Sequence, residues 1–514
     1  MPKFSIVTPV YNPPAEALKA CIASMKSQLF DDWEWCLVDD KSTEPFVRKM
    51  LTRAAARDRR IRVMYRETNG GIVAASQDAL DMATGDFIGL LDHDDALHAS
   101  ALQKVAMRLA TDPTIDYLYT DEDKIDENGF HYDFFRKPAW DKERLRGQNY
   151  CSHFSVFRST LLDKVGGFRS GFDGSQDYDL ILRATEQARS IAHIPEVLYH
   201  WRSVPGSAAA EVNAKPYAYE SGRRALEEHF QRCGIDATVE MKLPCYYQYR
   251  RSALTTTPLV SIIIPTRGDR QRVWGITTCL VVNAMESILK NSTYSNFEII
   301  VVNDVHPDGS SIHEFDVPND PRVTVLSYDK PFNFSDKCNV GFLASHGDVV
   351  IMLNDDTEVI TPDWIELLLG HLEDPEVAMV GPMLLLEDGR IQSAGHRNNP
   401  TPSNIGSGES SDAYGTWGMY SFARSLAGLT GACIAIRRSV YDQLGGFSLD
   451  YPINYNDVDF CFKVLDAGYR IVWTPMARLY HFESMTRVRG VSQEEITALE
   501  HRWNRYLGSD VYTP

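Results

Sequence analysis

Three aspartates follow a short apolar run in the stretch FIGLLDHDD: Asp92, Asp94 and Asp95. Like charges at the end of a buried strand cost free energy unless a positive charge lies among them. Asp92 and Asp94 are two residues apart, so their side chains point the same way if the strand continues. Mg²⁺ and Mn²⁺ commonly bind carboxylates together with phosphate oxygens. We therefore expect Mn²⁺ or Mg²⁺ with a diphosphate here; a solvated turn is the alternative.

The same pattern recurs in VVIMLNDDT, which contains Asn354, Asp355 and Asp356. One acidic turn is weak support for a metal site, but its repetition after a second apolar run favours one. The two stretches align as Asp92 with Asn354, His93 with Asp355, and Asp94 with Asp356. The carboxylates common to both copies are those of Asp94 and Asp356, which we predict to be metal ligands.

A second acidic pair is also repeated. Asp177 and Asp179 lie in GSQDYDLILR, and Asp457 and Asp459 lie in YNDVDFCFK. Both pairs fall where a helix is expected to begin, and the helix dipole favours carboxylates there. A carboxylate beside a metal-bound diphosphate can also take a proton from an attacking hydroxyl. We predict this role for Asp177 and Asp457, and a structural or orienting role for Asp179 and Asp459.

A histidine follows each acidic pair. His200 and His481 come 23 and 24 residues after the predicted bases. A lone histidine in an aromatic setting is usually a satisfied core residue, but the repetition favours a ligand that completes a Mn²⁺ shell. Arg202 could bind phosphate with two hydrogen bonds, whereas the second copy has Glu483 at that position.

These motifs belong to a sequence that is written twice. Six segments of the first half recur in the same order in the second, with an offset that drifts only from 256 to 281 residues. Examples are FSIVTPVYN with VSIIIPTRG, and VLYHWRS with RLYHFES. We therefore predict two homologous domains, residues 1–250 and 258–514, joined by the polar stretch RRSALTTTPLV.

Within each copy, short β-branched runs alternate with amphipathic helical stretches. This alternation predicts an α/β fold with parallel strands and crossover helices, in which ligands bind beyond the carboxyl ends of the strands. The second copy contains an insertion, residues 396–421, that is rich in Gly, Ser, Asn and Pro. Its composition indicates a mobile loop, either a lid on the acceptor side or a plain surface insertion.

The overall composition narrows the possible functions. The 514 residues have a formal net charge of −18 and contain no long Lys/Arg block, which argues against nucleic acid as a partner. No run of about 18 apolar residues and no signal peptide occurs, so we expect a cytoplasmic protein. Nine scattered cysteines are typical of buried thiols in a reducing compartment.

With these motifs in order, the chain resembles family 2 glycosyltransferases of GT-A fold, in two tandem domains, and especially bacterial members that build O-antigen or capsule-like polysaccharides. The resemblance implies an inverting, metal-dependent transfer of sugars from UDP-, dTDP- or GDP-linked donors to a glycan or lipid-linked glycan. It implicates, in nucleotide-sugar binding, Pro9, Tyr11, Asp39, Asn69, Asp92, Arg202, Pro265, Asn303, Asp304, Asn354 and Asp355. It implicates Asp177 and Asp457 as catalytic bases, and Asp94, His200, Asp356 and His481 as metal ligands.

The second copy departs from the family pattern at Asn354, which replaces the first acidic residue, and at IPTRG, which lacks the aromatic residue of TPVYN. The main hypothesis is a bifunctional enzyme that makes one linkage per domain. The alternative is one active domain with an inactive, acceptor-binding C-terminal domain. A nucleotidyltransferase is disfavoured, because PVYNPPAEALK has neither the glycines nor the arginines that grip a triphosphate.

A lipid-linked acceptor would place the protein at the inner face of the membrane. We expect peripheral contact there through the C-terminal stretch ITALEHRWNRYLG, whose Trp503, Tyr506 and Leu507 lie close to two arginines. A C-terminal helix that packs on the core is the alternative.

Overall fold

The structure, a computed structural model, describes residues 2–203, 216–399, 401–482 and 491–513. The chain divides into two compact units, which we call the first domain (residues 1–141 and 145–249) and the second domain (residues 142–144 and 250–514). Glu483, the predicted counterpart of Arg202, lies outside the described residues.

The first half of the chain contains eleven strands and eight helices among its described residues. In chain order these are β1 (Phe4–Val10), α1 (Ala15–Lys26), β2 (Trp33–Asp39), α2 (Pro45–Arg57), β3 (Ile61–Tyr65), α3 (Gly71–Asp81), β4 (Phe87–Leu90), β5 (Ala96–Leu97), α4 (Ala101–Thr111), β6 (Ile115–Ile125), β7 (His131–Phe135), α5 (Lys142–Gly147), β8 (Ser155–Arg158), α6 (Ser159–Val165), α7 (Gln176–Thr185), β9 (Ser190–Arg202), α8 (Pro216–Arg232), β10 (Ala237–Leu243) and β11 (Tyr246–Arg251).

The second half repeats the arrangement with additions. Its elements are β12 (Val260–Thr266), β13 (Arg270–Val273), β14 (Ile276–Cys279), α9 (Leu280–Asn291), β15 (Phe297–Asp304), β16 (Val323–Tyr328), α10 (Phe334–Ala344), β17 (Val349–Leu353), β18 (Thr357–Val359), α11 (Trp364–Leu372), β19 (Val377–Leu385), β20 (Ile391–Ser393), β21 (His396–Arg397), β22 (Ser403–Asn404), β23 (Arg424–Ser425), β24 (Cys433–Arg437), α12 (Arg438–Gln443), α13 (Asn456–Asp466), β25 (Arg470–His481) and α14 (Gln493–Trp503).

The two large sheets have the same strand order. The first runs β3-β2-β1-β4-β8-β6-β9-β5, and the second runs β16-β15-β12-β17-β24-β19-β25-β18. In each sheet the first four strands are parallel, and the fourth pairs antiparallel with the fifth. The central strands β1 and β12 are almost entirely buried, as expected for strands covered on both faces. The predicted α/β class with parallel strands is confirmed.

The insertion in the second domain is folded, so the expectation of a mobile loop is wrong. Residues 396–397 and 403–404 form the β21–β22 hairpin. Ile405 and Tyr420 lie in the hydrophobic core on one face of the sheet, with exposed fractions of 5% and 7%. The segment is rich in Gly and Ser, but burial of its few apolar side chains is sufficient to anchor it.

The C-terminal helix α14 begins with a capping box formed by Ser492 and Glu495. Leu499 and Trp503 are buried against α13, and the ring of Tyr506 stacks on that of Phe462 with their centroids 5.2 Å apart. The structure therefore shows the packed helix, and Trp503 is not available as the predicted membrane anchor. Within the described part of the chain, no helix has the length and apolar character needed to cross a membrane.

Candidate active site

The predicted base-binding residues of the first domain lie at the carboxyl ends of neighbouring parallel strands. Pro9 on β1 is in register with Val38 on β2, and Asp39 ends β2. Asp39 is buried and accepts a hydrogen bond from the Ser42 N–H at 3.1 Å. Tyr11, just beyond β1, is 47% exposed, which leaves its ring free to stack on a base.

Asp40, which sequence reasoning did not single out, organises the adjoining helix. Its carboxylate accepts hydrogen bonds from the N–H groups of Gly70 and Gly71, each at 2.8 Å, and pairs with Arg66 at 3.0 Å. The Asn69 amide donates to the Asp40 carbonyl at 3.0 Å. Asn69 therefore lies at the N-terminus of α3, where backbone dipoles favour phosphate. Asp40 is the second acidic residue of the stretch WCLVDD, and this adjacent pair of acids is the sequence signal that could have identified it.

The acidic cluster after β4 is held by groups from β9. Asp95 is buried and accepts from the Tyr199 hydroxyl at 2.5 Å and from the Arg202 N–H at 2.7 Å. The Arg202 guanidinium, which is predicted to bind phosphate, donates to the Asp94 carbonyl at 2.9 Å. One of its N–H groups is therefore already used by the loop after β4. Burial raises the pKa of Asp92, and the charge on Asp94 raises it further.

A partly buried histidine, His153, is one of the positive charges among these carboxylates. Its backbone N–H donates to Glu122 at 2.6 Å, and its ring stacks on that of Tyr199 with the centroids 4.8 Å apart. Burial opposes a charge on this imidazole, but Glu122 outweighs burial and raises the pKa of His153 to about 9. Glu122 also accepts from the buried Lys137 ammonium at 2.8 Å. The sequence predicts that a metal ion supplies the positive charge among these carboxylates. In the structure, the side chains of His153 and Lys137 supply at least part of it.

The predicted base of the first domain lies near this cluster. Asp177 is in the first turn of α7, and its Oδ2 accepts from the Asn149 amide at 2.9 Å. The Asp177 charge contributes to raising the pKa of Asp92, so the two carboxylates lie within range of each other's charge. Asp179, by contrast, is completely buried and accepts from Arg183 at 2.6 Å, which confirms its structural role.

His200 has partners that the sequence analysis did not consider. Its Nδ1 lies 2.7 Å from Oδ1 of Asp123, and the Nδ1 of His131 lies 2.8 Å from Oδ2 of the same carboxylate. The signal was available in the run YTDEDK, which places three carboxylates on one buried strand. What could not be read from the sequence was that β7 and β9 flank this strand.

In the second domain the predicted metal ligands lie together. His481 Nε2 is 3.2 Å from the Asp356 carboxylate and 3.3 Å from the Asn354 amide nitrogen. Burial raises the pKa of Asp356, but His481 outweighs this effect and lowers it overall. Asp355 accepts from the Thr266 hydroxyl at 2.6 Å, and burial together with the neighbouring Asp356 raises its pKa to about 7.

The predicted nucleotide-binding residues of the second domain lie on β12 and β15. Pro265 is in register with Val302. Asn303 is buried and donates to the Ser311 hydroxyl at 3.2 Å. Asp304 pairs at 2.7 Å with the buried ammonium of Lys337 on α10, much as Asp40 of the first domain fixes the start of α3.

The predicted base of the second domain is held by backbone groups. Asp457 accepts from the Gly431 N–H and the Val458 N–H, each at 2.8 Å. His396, from the insertion, lies close enough for the Asp457 charge to act on it, although burial dominates and lowers the pKa of His396. The neighbouring Asp459 is completely buried and accepts from the Trp503 indole at 2.7 Å, which confirms its structural role.

The two domains fit a divalent cation differently. In the second domain, Asp356 and His481 present a carboxylate and an imidazole at one point, donor types that suit Mn²⁺, while Asn354 faces His481 with its amide nitrogen, which is not a metal ligand. In the first domain, the ligand atoms of Asp123, His131 and His200 all lie within 4.8 Å of one another.

The chain belongs to glycosyl transferase family 2, whose sequence profile matches residues 5–166 and 261–445. Together with the two sheets, this match confirms the predicted tandem GT-A domains.

Two related proteins and one solved structure are similar to this chain. The chain is 41% identical over 537 residues to the uncharacterized protein y4gI of Sinorhizobium fredii, covering 100% of this chain and 57% of that protein. It is 36% identical over 494 residues to the O-antigen biosynthesis protein RfbC of Myxococcus xanthus, covering 95% and 38%. The chain thus spans about half the length of these relatives or less. Among solved structures, TarS 1-349 of S. aureus is 21% identical with a TM-score of 0.36, covering 44% of this chain and 65% of that one.

Proposed function

We propose that the protein is an inverting glycosyltransferase with one active site in each domain. It transfers sugars from nucleotide-diphosphate-sugars to a growing glycan of the O-antigen or capsule type. The observation that supports this most strongly is in the first domain: a helix-start aspartate, Asp177, lies within electrostatic range of a strand-end aspartate, Asp92, and the helix-start aspartate recurs as Asp457 in the second domain.

The reaction is a single displacement. Asp177 takes the proton of the acceptor hydroxyl, whose oxygen forms a bond to the anomeric carbon as the bond to the diphosphate oxygen breaks. The nucleoside diphosphate leaves with the bonding electrons, and the anomeric configuration inverts. Asn149 orients the base through its hydrogen bond to Asp177. When bound, a divalent cation would neutralise charge on the leaving diphosphate.

Donor binding is assigned to the edge formed by the strand ends. Tyr11 and Asp39 are placed to meet the base, and Asn69 at the start of α3 is placed to meet the diphosphate. In the second domain, Asn303 and the Lys337–Asp304 pair occupy the corresponding edge. We propose UDP-, dTDP- or GDP-linked sugars as donors.

The acceptor is proposed to be a glycan or a lipid-linked glycan. The name of the RfbC relative, an O-antigen biosynthesis protein, supports a surface polysaccharide. A lipid-linked acceptor would bring the protein to the cytoplasmic face of the membrane without help from the buried Trp503.

The second candidate function keeps only the first domain active. Both carboxylate oxygens of Asp457 already accept backbone hydrogen bonds, and Asn354 replaces an acid. The second domain would then bind the acceptor without transferring sugar to it.

A panel of nucleotide-sugars tests both proposals, with release of nucleoside diphosphate as the readout. Asp177→Asn should stop release from one donor and Asp457→Asn from another. Exposed carboxylates at corresponding positions of the two copies, Asp163→Asn and Asp442→Asn, are matched controls and should leave both unchanged. If Asp457→Asn changes no donor, the second domain is the inactive binding module. If neither base variant changes any donor, both proposals fail.

A further inference from the structure

We propose that the first domain binds a divalent transition-metal cation through Asp123, His131 and His200, at a site that does not include Asp94. The inference concerns cation binding, so it stands or falls separately from the proposed transferase activity.

The geometry is that of two imidazoles on one carboxylate. The two Nδ1 atoms lie 2.7 and 2.8 Å from different oxygens of Asp123, and the three ligand atoms are within 4.8 Å of each other. The Asp123 side chain is only 2% exposed, so its charge needs a partner. A cation among the three groups would replace the shared protons and leave coordination positions open to solvent on the side of His131, which is 46% exposed.

The sheet holds these residues in place. Asp123 lies on β6, directly opposite His200 on the parallel strand β9, and His131 lies on β7 at the other edge of β6. Both pairings change register beside Asp123: β6 with β7 between Glu122 and Lys124, and β6 with β9 between Asp121 and Glu122. Such bulges re-aim side chains and are frequent beside functional sites.

The neighbouring lysines have carboxylate partners of their own. Lys124 pairs with Asp133 at 2.6 Å, and Lys137 pairs with Glu122 at 2.8 Å. In contrast, the cluster of Glu186, His229 and Cys233 is already served by cations, because Arg232 pairs with Glu186 and Arg146 donates to His229 at 3.2 Å. We assign no metal to that cluster.

The donor set indicates which cation binds. Two imidazole nitrogens and one carboxylate oxygen suit Mn²⁺ or Zn²⁺, whereas Mg²⁺ prefers oxygen ligands throughout. The second domain cannot build this site, because Leu385 at the end of β19 and Leu386 after it stand where the first domain has Glu122 and Asp123.

The test counts Mn²⁺ bound to the full chain by electron paramagnetic resonance, without substrate. Asp356→Asn serves as the background, because it removes the predicted ligand of the second domain and leaves the first to be counted. In that background His131→Ala should weaken Mn²⁺ binding at least ~10-fold, the lower end of what disturbing a metal shell costs. Nitrogen couplings to bound Mn²⁺ should fall from two imidazoles to one.

Three further variants separate the alternatives. Asp94→Asn should keep the bound Mn²⁺, and so should His98→Ala, whose ring lies 6.1 Å from that of His200. Asp123→Asn is a second removal that keeps the side-chain volume, with circular dichroism as the check on folding. The proposal is overturned if His131→Ala and Asp123→Asn bind Mn²⁺ like the background, or if Asp94→Asn alone abolishes binding.

Discussion

The two domains share a strand order but neutralise their buried carboxylates in different ways. In the first domain, β6 places Glu122 opposite Tyr199, whereas β19 of the second domain places Leu385 opposite the corresponding Tyr480. Glu122 then binds His153, at a position where the second copy has Ala432. A polar network on one side of the site has thus been replaced by an apolar one without a change of topology.

The difference also extends to the predicted bases. Asp177 is held by a side chain, that of Asn149, whereas Asp457 is held by the backbone N–H of Gly431. The folded insertion brings His396 to the second base, and the first domain has no such insertion in its sequence. The comparison teaches that the backbone scaffold is common to both sites, while the chemistry around each base is specific to its domain.

The largest stability effect is expected from Trp503→Ala. In the first domain Asp179 accepts from Arg183, whereas in the second Asp459 accepts from the Trp503 indole, which is 6% exposed, and pairs with Arg502 at 3.3 Å. Removing this side chain should lower the free energy of unfolding by about 3–5 kcal/mol. Thermal unfolding measures it, with Trp274→Ala, 46% exposed, as the matched control.

Equal unfolding temperatures for the two tryptophan variants would contradict this prediction. Reduced co-sedimentation of Trp503→Ala with membranes, at unchanged stability, would restore the membrane-anchor hypothesis.

A somewhat smaller effect is expected in the insertion. Ile405→Ala should cost about 2–4 kcal/mol, because the side chain is 5% exposed in the core. Tyr414→Ala, in the same insertion but 52% exposed, should change stability little. Thermal unfolding and limited proteolysis of residues 396–421 measure both variants. If both behave like the wild type, the insertion is a surface loop after all.

The third effect depends on pH. The pKa of His153 is raised to about 9, so its contribution is fully present below its unfolded pKa and is lost as pH rises through about 9. Wild type should therefore lose up to about 3 kcal/mol between about pH 6 and pH 9.5 that His153→Gln does not lose. Calorimetry at the two pH values measures this difference. Parallel pH profiles for the two proteins would show that His153 is not charged in the folded state.

The smallest effect is kinetic. Asn149→Ala removes one hydrogen bond to Asp177, worth about 1 kcal/mol, and should slow transfer by the first domain several-fold. Transfer by the second domain should be unchanged, because its base is held by Gly431. Rates with separate donors measure this. Equal slowing of both reactions would mean that the variant acts on the whole fold rather than on one base.

Much of the fold was predictable, because repeats, strand periodicity and strand-end acids are local signals. Asp356 and His481, both predicted as metal ligands from their recurrence, lie 3.2 Å apart. The partners of His200 were missed, because Asp123 and His131 meet it only through the pairing of β6 with two different strands. Pairing between distant strands is set by tertiary packing, which a single sequence does not display.

The predictions for the insertion and for the C-terminal helix differ from the structure for another reason. The composition of residues 396–421 predicts a mobile loop, but Ile405 is buried. A few apolar side chains therefore decide whether such a segment folds. Trp503 beside arginines resembled an interfacial anchor, and only the position of the buried Asp459 shows that its indole has an internal partner.

If both active sites work, each domain makes its own linkage. Linkage analysis by mass spectrometry, on glycan made by wild type, Asp177→Asn and Asp457→Asn with all donors present, shows whether it does. Losing a general base typically costs ~10²–10⁴-fold in rate, so each variant should make a product that lacks a different linkage. The two variants mixed should restore both linkages if the glycan exchanges between sites. If either variant makes both linkages, or if both lose the same one, the claim of two active sites is contradicted.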